Sequence, residues 1–375
     1  MKKILLGTTA LIGAALLASA ASAESPKVTV GGFSDFQVGF ANDDFDAAQR
    51  SYGFRNDNEI NFSIDGVADS GLKYGAEIDL EADVTADADG EGLNAARTYL
   101  YLEGNWGRFE LGSNEGSDQA LKVDASNIAR ATGGIDGDFT YFNNGVPAVG
   151  VTPFIVTPDL PVMYGSLSDQ GDETTNNNNK ITYYTPRFSG FQLGLSFAPD
   201  QTDRGQTVTR VDTTAGQAEN IISGGVNYEG QWDQIGLAAS ATGEWGNAEA
   251  TGFEDLAAYA LGAKISYAGF SLAGSWADWG DSLTTAVSNT DADYWTLGLA
   301  YDGGIWGVSA TYLDSSFDPA GVTEHEFQNF VVGADYKLAP GLTPYVEASF
   351  FEYDPNGSVN DNDGYVFLVG SQLAF

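Results

Sequence analysis

The sequence predicts an all-β fold: a transmembrane antiparallel β-barrel of 16 strands, with short turns at one end, long loops at the other, and a third loop folded into the lumen. Three observations predict it. Apolar and polar residues alternate with a period of two in segment after segment, which is the signature of half-buried strands. The connections between these segments alternate between tight and long. Beyond the N-terminus, polar residues interrupt every apolar run, so no membrane helix is present in the sequence. That leaves a soluble protein or a closed barrel, because only helices and closed barrels satisfy the whole backbone inside a bilayer.

The first element is a leader. Lys2 and Lys3 precede an apolar run from Ile4 to Leu17, and Ala21-Ser22-Ala23 supplies a small-x-small cleavage site. The run is too short for a spanning helix, which needs about 20 residues. Residues 1–23 are therefore read as a signal peptide, and residues 24–375 as a single barrel starting at Glu24.

The strands follow. Ile60, Phe62 and Ile64 alternate with Glu59, Asn61, Ser63 and Asp65. Leu72, Tyr74, Ala76, Ile78 and Leu80 alternate with Lys73, Gly75, Glu77 and Asp79. Trp295, Leu297, Leu299 and Tyr301 alternate with Thr296, Gly298 and Ala300. The pattern places strands at about 27–40, 54–65, 72–82, 97–103, 108–113, 180–185, 191–198, 220–228, 235–242, 258–266, 270–278, 293–301, 305–313, 327–336, 342–352 and 364–375. Tight connections fall near 66–71, 104–107, 186–190, 229–234, 268–269, 302–304 and 338–341. The other connections are long and rich in Asp, Asn, Gly and Thr. Bacterial outer-membrane barrels sort their connections this way, with turns in the periplasm and loops outside. A soluble sandwich has no reason to do so. Trp106, Phe109, Phe191, Trp232, Phe270 and Trp306 stand beside the tight turns, as an interfacial girdle requires. The last strand places Tyr365, Phe367, Val369, Leu373 and Phe375 on one face, like the terminal recognition strand of such barrels.

Composition excludes several functions. The formal net charge is −36, with 16 basic residues against 52 acidic ones, which disfavours nucleic-acid binding. The chain has no cysteine, so thiolate metal sites and cysteine nucleophiles are absent. Its one histidine, His325, is expected in an external loop between Glu324 and Glu326, away from any Ser-His-Asp arrangement. No enzyme activity and no cofactor are expected. Asp87 and Asp89, near Asp83 and Gly90, and Asp361 and Asp363, near Gly364, are candidate calcium ligands. They lack EF-hand spacing, and solvated loops explain them more simply.

One connection, residues 114–179, is far longer than the rest, and long loops in compact folds usually have a function. It lies between two stretches, Arg97-Thr-Tyr-Leu-Tyr-Leu-Glu-Gly-Asn-Trp-Gly-Arg-Phe-Glu-Leu-Gly112 and Asn179-Lys-Ile-Thr-Tyr-Tyr-Thr-Pro-Arg-Phe-Ser-Gly-Phe191. With the strand ending at Phe375, they make the chain resemble the general, non-specific Gram-negative outer-membrane porins of alphaproteobacterial type. That resemblance implies a homotrimer embedded among outer-membrane lipid and lipopolysaccharide, passing small ions and solutes. It also implies a third loop whose acids face a basic wall across the pore. Arg55 and Arg97 match the wall. Glu115, Asp118, Asp124, Asp136 and Asp138 are the loop candidates. Alternation adds Lys73, Glu59, Glu77 and Glu103 as lumenal residues, and the acidic excess points to cation selectivity. The alternatives are a substrate-specific channel, an outer-membrane enzyme and an adhesin.

Overall fold

A computed structural model describes residues 24–44, 50–82, 94–142, 177–285, 292–317, 325–354 and 361–375. The leader and the pair Asp87 and Asp89 lie outside the described residues. The strands are β1 (Glu24–Asp43), β2 (Tyr52–Val67), β3 (Lys73–Glu81), β4 (Asn94–Gly104), β5 (Gly107–Ser113), β6 (Asn179–Tyr184), β7 (Phe191–Asp200) and β8 (Ala218–Trp232). They continue as β9 (Ile235–Ala248), β10 (Leu256–Tyr267), β11 (Phe270–Asp278), β12 (Ala292–Asp302), β13 (Trp306–Phe317), β14 (His325–Tyr336), β15 (Leu342–Asp354) and β16 (Asn362–Ala374). Each pairs antiparallel with its sequence neighbours, and β1 pairs with β16, so the sheet is a closed barrel. The final residue takes part in closure: Phe375 N–H donates to the Gly32 carbonyl at 3.0 Å, and Gly32 N–H donates back at 3.2 Å.

The strands form where alternation places them. Three placements differ. His325 opens β14 instead of lying in a loop, and β8 and β9 run longer than the pattern suggests. Glu229–Trp232 continue β8, and the turn shrinks to Asp233 and Gln234, with Asp233 at a φ of 56°. A two-residue hairpin turn needs positive φ, which aspartate tolerates. The Ala268–Gly269 turn does the same, with φ values of 49° and 86°.

Phe54, Leu195, Leu297 and Leu299 all point outward and are exposed, with Phe54 at 69%. Such a face is stable only against lipid. At the turn end the outward aromatics touch across strands: Phe270 and Tyr301 have ring centroids 4.6 Å apart, and Tyr301 and Trp306 5.3 Å. The interior is unevenly lined. Inward side chains on β2–β5 are charged, whereas Tyr294, Leu313, Phe327, Val331, Phe351, Val366 and Leu368 of β12–β16 form a buried apolar cluster inside the barrel. Leu297→Arg, at the middle of an outward face, is expected to cost about 2–4 kcal/mol in urea titrations of lipid-reconstituted protein. An unchanged midpoint would show that this face is not in lipid.

Candidate constriction inside the barrel

After Ser113 the chain turns back into the barrel. A segment without a sheet partner must still satisfy its backbone N–H groups. Here the inner wall supplies the acceptors. Ser117 N–H donates to Ser196 Oγ on β7 at 2.8 Å, and Val123 N–H to Ser240 Oγ on β9 at 2.8 Å. Ala125 N–H reaches Thr296 Oγ1 on β12 at 3.4 Å. Arg130 N–H donates to Ser309 Oγ at 2.8 Å and Ile135 N–H to Thr311 Oγ1 at 3.2 Å, both on β13. On β15, Glu347 is 1% exposed and accepts three bonds: from Thr132 Oγ1 at 2.6 Å, Thr132 N–H at 3.2 Å and Gly134 N–H at 3.4 Å.

The segment therefore runs as a belt along the wall instead of crossing the lumen. Its short helix α1 (Ser117–Ala120) packs on β6–β9. Three single 3₁₀ turns follow: Ser126–Ile128 on β11 and β12, Gly134–Asp136 on β13–β15, and Asp138–Tyr141 on β16. Ile135 and Phe139 complete the apolar cluster of β12–β16. Among the described residues, the helical turns of the belt pack mainly on β6–β16 and reach β2 where Asp138 and Tyr141 meet Arg55; the wall of β2–β5 carries the charges.

Arg97 and Arg55 stand at the two ends of the belt. Arg97 Nε lies 2.9 Å from Asp79 Oδ2, and its Nη1 lies 3.3 Å from Glu115 Oε1. Arg55 Nη2 lies 3.2 Å from Asp57 Oδ2 and its Nη1 3.4 Å from Asp138 Oδ2. Its guanidinium also sits 3.8 Å from the Tyr141 ring centroid. Asp138, 1% exposed, accepts a further bond from Gln37. Each arginine is thus held between one wall carboxylate and one belt carboxylate. A basic wall facing acids across open water is not what forms: Glu115 and Asp138 touch the arginines directly.

The other loop acids are placed differently. Asp124 is fully buried; its Oδ1 accepts from Ser126 N–H at 2.9 Å and Ser126 Oγ at 2.6 Å, and Lys122 Nζ lies 3.1 Å from its Oδ2. It shapes the belt's own turn and cannot line a water-filled pore. Asp118 is buried behind α1 with Lys180 and Glu244. Asp136 is half-buried. Of the lumenal candidates, Lys73 Nζ pairs with Glu103 Oε1 at 2.9 Å, Glu77 accepts from Ser63 at 2.7 Å, and Glu59 accepts from Asn61. Asp361 and Asp363 are exposed at the loop end, and Asp363 N–H donates to Asp44 Oδ2 at 3.4 Å. Among the described residues no cluster of three or more metal-ligating groups forms.

Several residues escape sequence reasoning. Arg108 Nε lies 2.7 Å from Glu110 Oε1, its Nη1 lies 3.4 Å from Glu103, and its guanidinium sits 4.1 Å from the Tyr101 ring centroid. It lies within the first family-like stretch on the inward parity of β5. Lys180 donates to the Asn114 carbonyl at the belt's root. Arg130 reaches Asp302 at 2.8 Å and Asp335 at 3.8 Å near the turn end. Glu347, between Tyr345 and Ser349, falls on the inward parity of β15, with no basic residue nearer in sequence than Lys337.

Comparison with known proteins agrees with the barrel fold. A family model described as Gram-negative porin matches residues 7–356. An uncharacterized protein of Rickettsia typhi is 26% identical over 93% of both chains. Outer membrane porin protein 32 of Delftia acidovorans is 28% identical over 58% of this chain and 54% of its own length. Among solved structures, the anion-selective porin from Comamonas acidovorans superimposes with a TM-score of 0.63 at 22% identity, covering 94% of this chain and 100% of that one. A mutant of the Rh. blastica porin gives 0.59 at 19% identity, covering 93% and 100%.

Proposed function

This chain belongs to the Gram-negative porin family, and from that premise we propose that its lumen passes small hydrophilic solutes with a preference for cations. It is a β-barrel channel of the bacterial outer membrane, and passage through it is passive diffusion. The preference rests on one observation. The wall left uncovered by the belt carries eight carboxylates, Asp57, Glu59, Asp65, Glu77, Asp79, Glu81, Glu103 and Glu110, against four cations, Arg55, Lys73, Arg97 and Arg108. Each of the three arginines is flanked by two carboxylates, so its charge is locally cancelled. What an entering ion meets is the remaining acid, and acidic rings favour cations. The Comamonas acidovorans porin is anion-selective, but a likeness at 22% identity extends to the fold and leaves wall charges free to differ.

The reversal potential in a potassium chloride gradient tests this reading. A cation-selective sign is expected at neutral pH, fading as pH falls toward about 4, the ordinary carboxylate range. Anion preference at neutral pH would sink it. The assembly this reading implies is a homotrimer among lipopolysaccharide, with residues 1–23 removed on export. Outer-membrane fractionation, gels with and without heating, and N-terminal sequencing test those parts.

A further inference from the structure

We propose that the inner wall of β7–β15 is a built seat for the belt, and that Gly262, Gly298, Gly333 and Glu347 are positioning residues that set the bore of the channel. This rests on the reading of the protein as a diffusion channel.

Glycines mark the path of the belt along the wall. Gly262, Gly298 and Gly333 sit at inward positions of β10, β12 and β14 without positive φ, so the backbone there would accept any residue. Glycine within a strand costs about 0.5–1 kcal/mol relative to alanine, and it often marks a place where another backbone comes close. The belt is that backbone. A Cβ on Gly262 would overlap the Val123 carbonyl oxygen. A Cβ on Gly333 would stand 2.7 Å from the Arg130 carbonyl oxygen. A Cβ on Gly298 would stand 3.1 Å from Ala125 Cβ and 3.2 Å from Ile128 Cδ1. Gly236, inward on β9 but away from the belt, has no neighbour nearer than 3.6 Å. The glycines that meet the belt therefore leave room for its main chain at Val123 and Arg130 and for the side chains of Ala125 and Ile128.

Hydroxyl acceptors line the same path. Between these glycines the wall presents Ser240, Thr296, Ser309 and Thr311, each bonded to a belt N–H. At the end of this row Glu347 takes three bonds from Thr132 and Gly134. Space and hydrogen bonding thus fix the belt at one height and one depth. Among the described residues, the open cross-section is what the belt leaves before β2–β5, so residues that touch no solute help determine it.

The full-length protein in planar bilayers tests the seat. Gly262→Val and Glu347→Ala should each change single-channel conductance by about a third or more and add open-channel noise, because overpacking or a lost anchor is relieved by backbone movement. Glu347→Gln should conduct like wild type, since its amide oxygen can still accept from Thr132 N–H and Gly134 N–H while its amide nitrogen donates to Thr132 Oγ1. Gly236→Ala should also leave conductance unchanged. All four should keep the heat-dependent gel shift of a folded barrel, which separates positioning from folding. Wild-type conductance and noise in both Gly262→Val and Glu347→Ala would overturn the proposal. If those variants fail to fold, the pair Ala125→Cys with Gly298→Cys decides. The chain has no other cysteine, and the Cβ separation of 3.1 Å is close to the disulfide span of about 3.5–4.5 Å. Oxidation should cross-link belt to wall and leave the conductance of the reduced double variant unchanged. No cross-link, or a large conductance change on oxidation, would show that the belt is not seated there. Wild-type protein that opens no channels at all would instead defeat the channel reading itself.

Discussion

Replacing residues 115–177 with a short Gly-Ser linker is expected to raise single-channel conductance about twofold or more. A 16-stranded barrel with strands about 4.8 Å apart and tilted about 40° has a backbone radius of about 16 Å. Inward side chains leave about 11 Å, and a belt about half a helix diameter thick, some 5 Å, lines most of that circumference. Removing such a layer from the wall of β6–β16 about doubles the open area. The same change should lower the heat stability of the barrel. Ile135 and Phe139 would leave Tyr294, Phe327, Phe351, Val366 and Leu368 facing water instead of protein, and burying one such large side chain contributes about 1.5–3 kcal/mol. The two readouts move in opposite directions, larger current and lower melting temperature. Unchanged conductance in a variant that still inserts would mean that residues 115–177 do not narrow the pore.

The barrel was legible because its cause is local. Lipid on one face and water on the other impose a period of two, and a slip of one residue in β3 would turn Lys73, Glu77 and Asp79 into hydrocarbon. Strand identity, order and pairing then follow from alternation and from the sorting of turns. Trp232 and Asp233 show where this stops: a polar stretch read as a broad turn is a strand ending in two residues, because the aspartate can adopt the left-handed conformation.

The residues of the candidate constriction were legible only in part, and their geometry was not. Arg55 and Arg97 fall on the inward parity, and Glu115 and Asp138 belong to the loop, but nothing in the spacing says that they touch. That depends on the belt's path, which is set by residues carrying no charge. Ser240, Thr296 and Ser309 look like ordinary polar positions of an alternating strand, and Gly298 looks like a weak one. Only the chain lying across them shows what they do. Asp118, Asp124 and Asp138 carry the same formal charge and are all buried, yet of these three only Asp138 meets a wall arginine, Arg55, whereas Asp124 pairs with Lys122 within the belt. Sequence gives a carboxylate its charge, whereas its exposure comes from long-range packing.

The pairing of Arg55 and Arg97 with carboxylates also governs selectivity. In Arg55→Gln with Arg97→Gln, the potassium-over-chloride permeability ratio is expected to rise about tenfold at low salt. Each substitution removes the cation that neutralises two carboxylates, Asp57 and Asp138 in one case, Asp79 and Glu115 in the other. One unit charge about 4 Å from a passing ion is worth about 1 kcal/mol in water-like surroundings, or about fivefold in occupancy. Two such sites on one path, partly screened, give about an order of magnitude. Glutamine keeps a donor for the belt carboxylate, so both ends of the belt stay attached and the bore stays near its wild-type size. The effect should shrink at high salt, because the Debye length falls from about 30 Å at 0.01 M to about 3 Å at 1 M. A ratio that stays at its wild-type value in dilute salt would mean that ions pass without sensing these arginines, and would move the selectivity filter away from the ends of the belt.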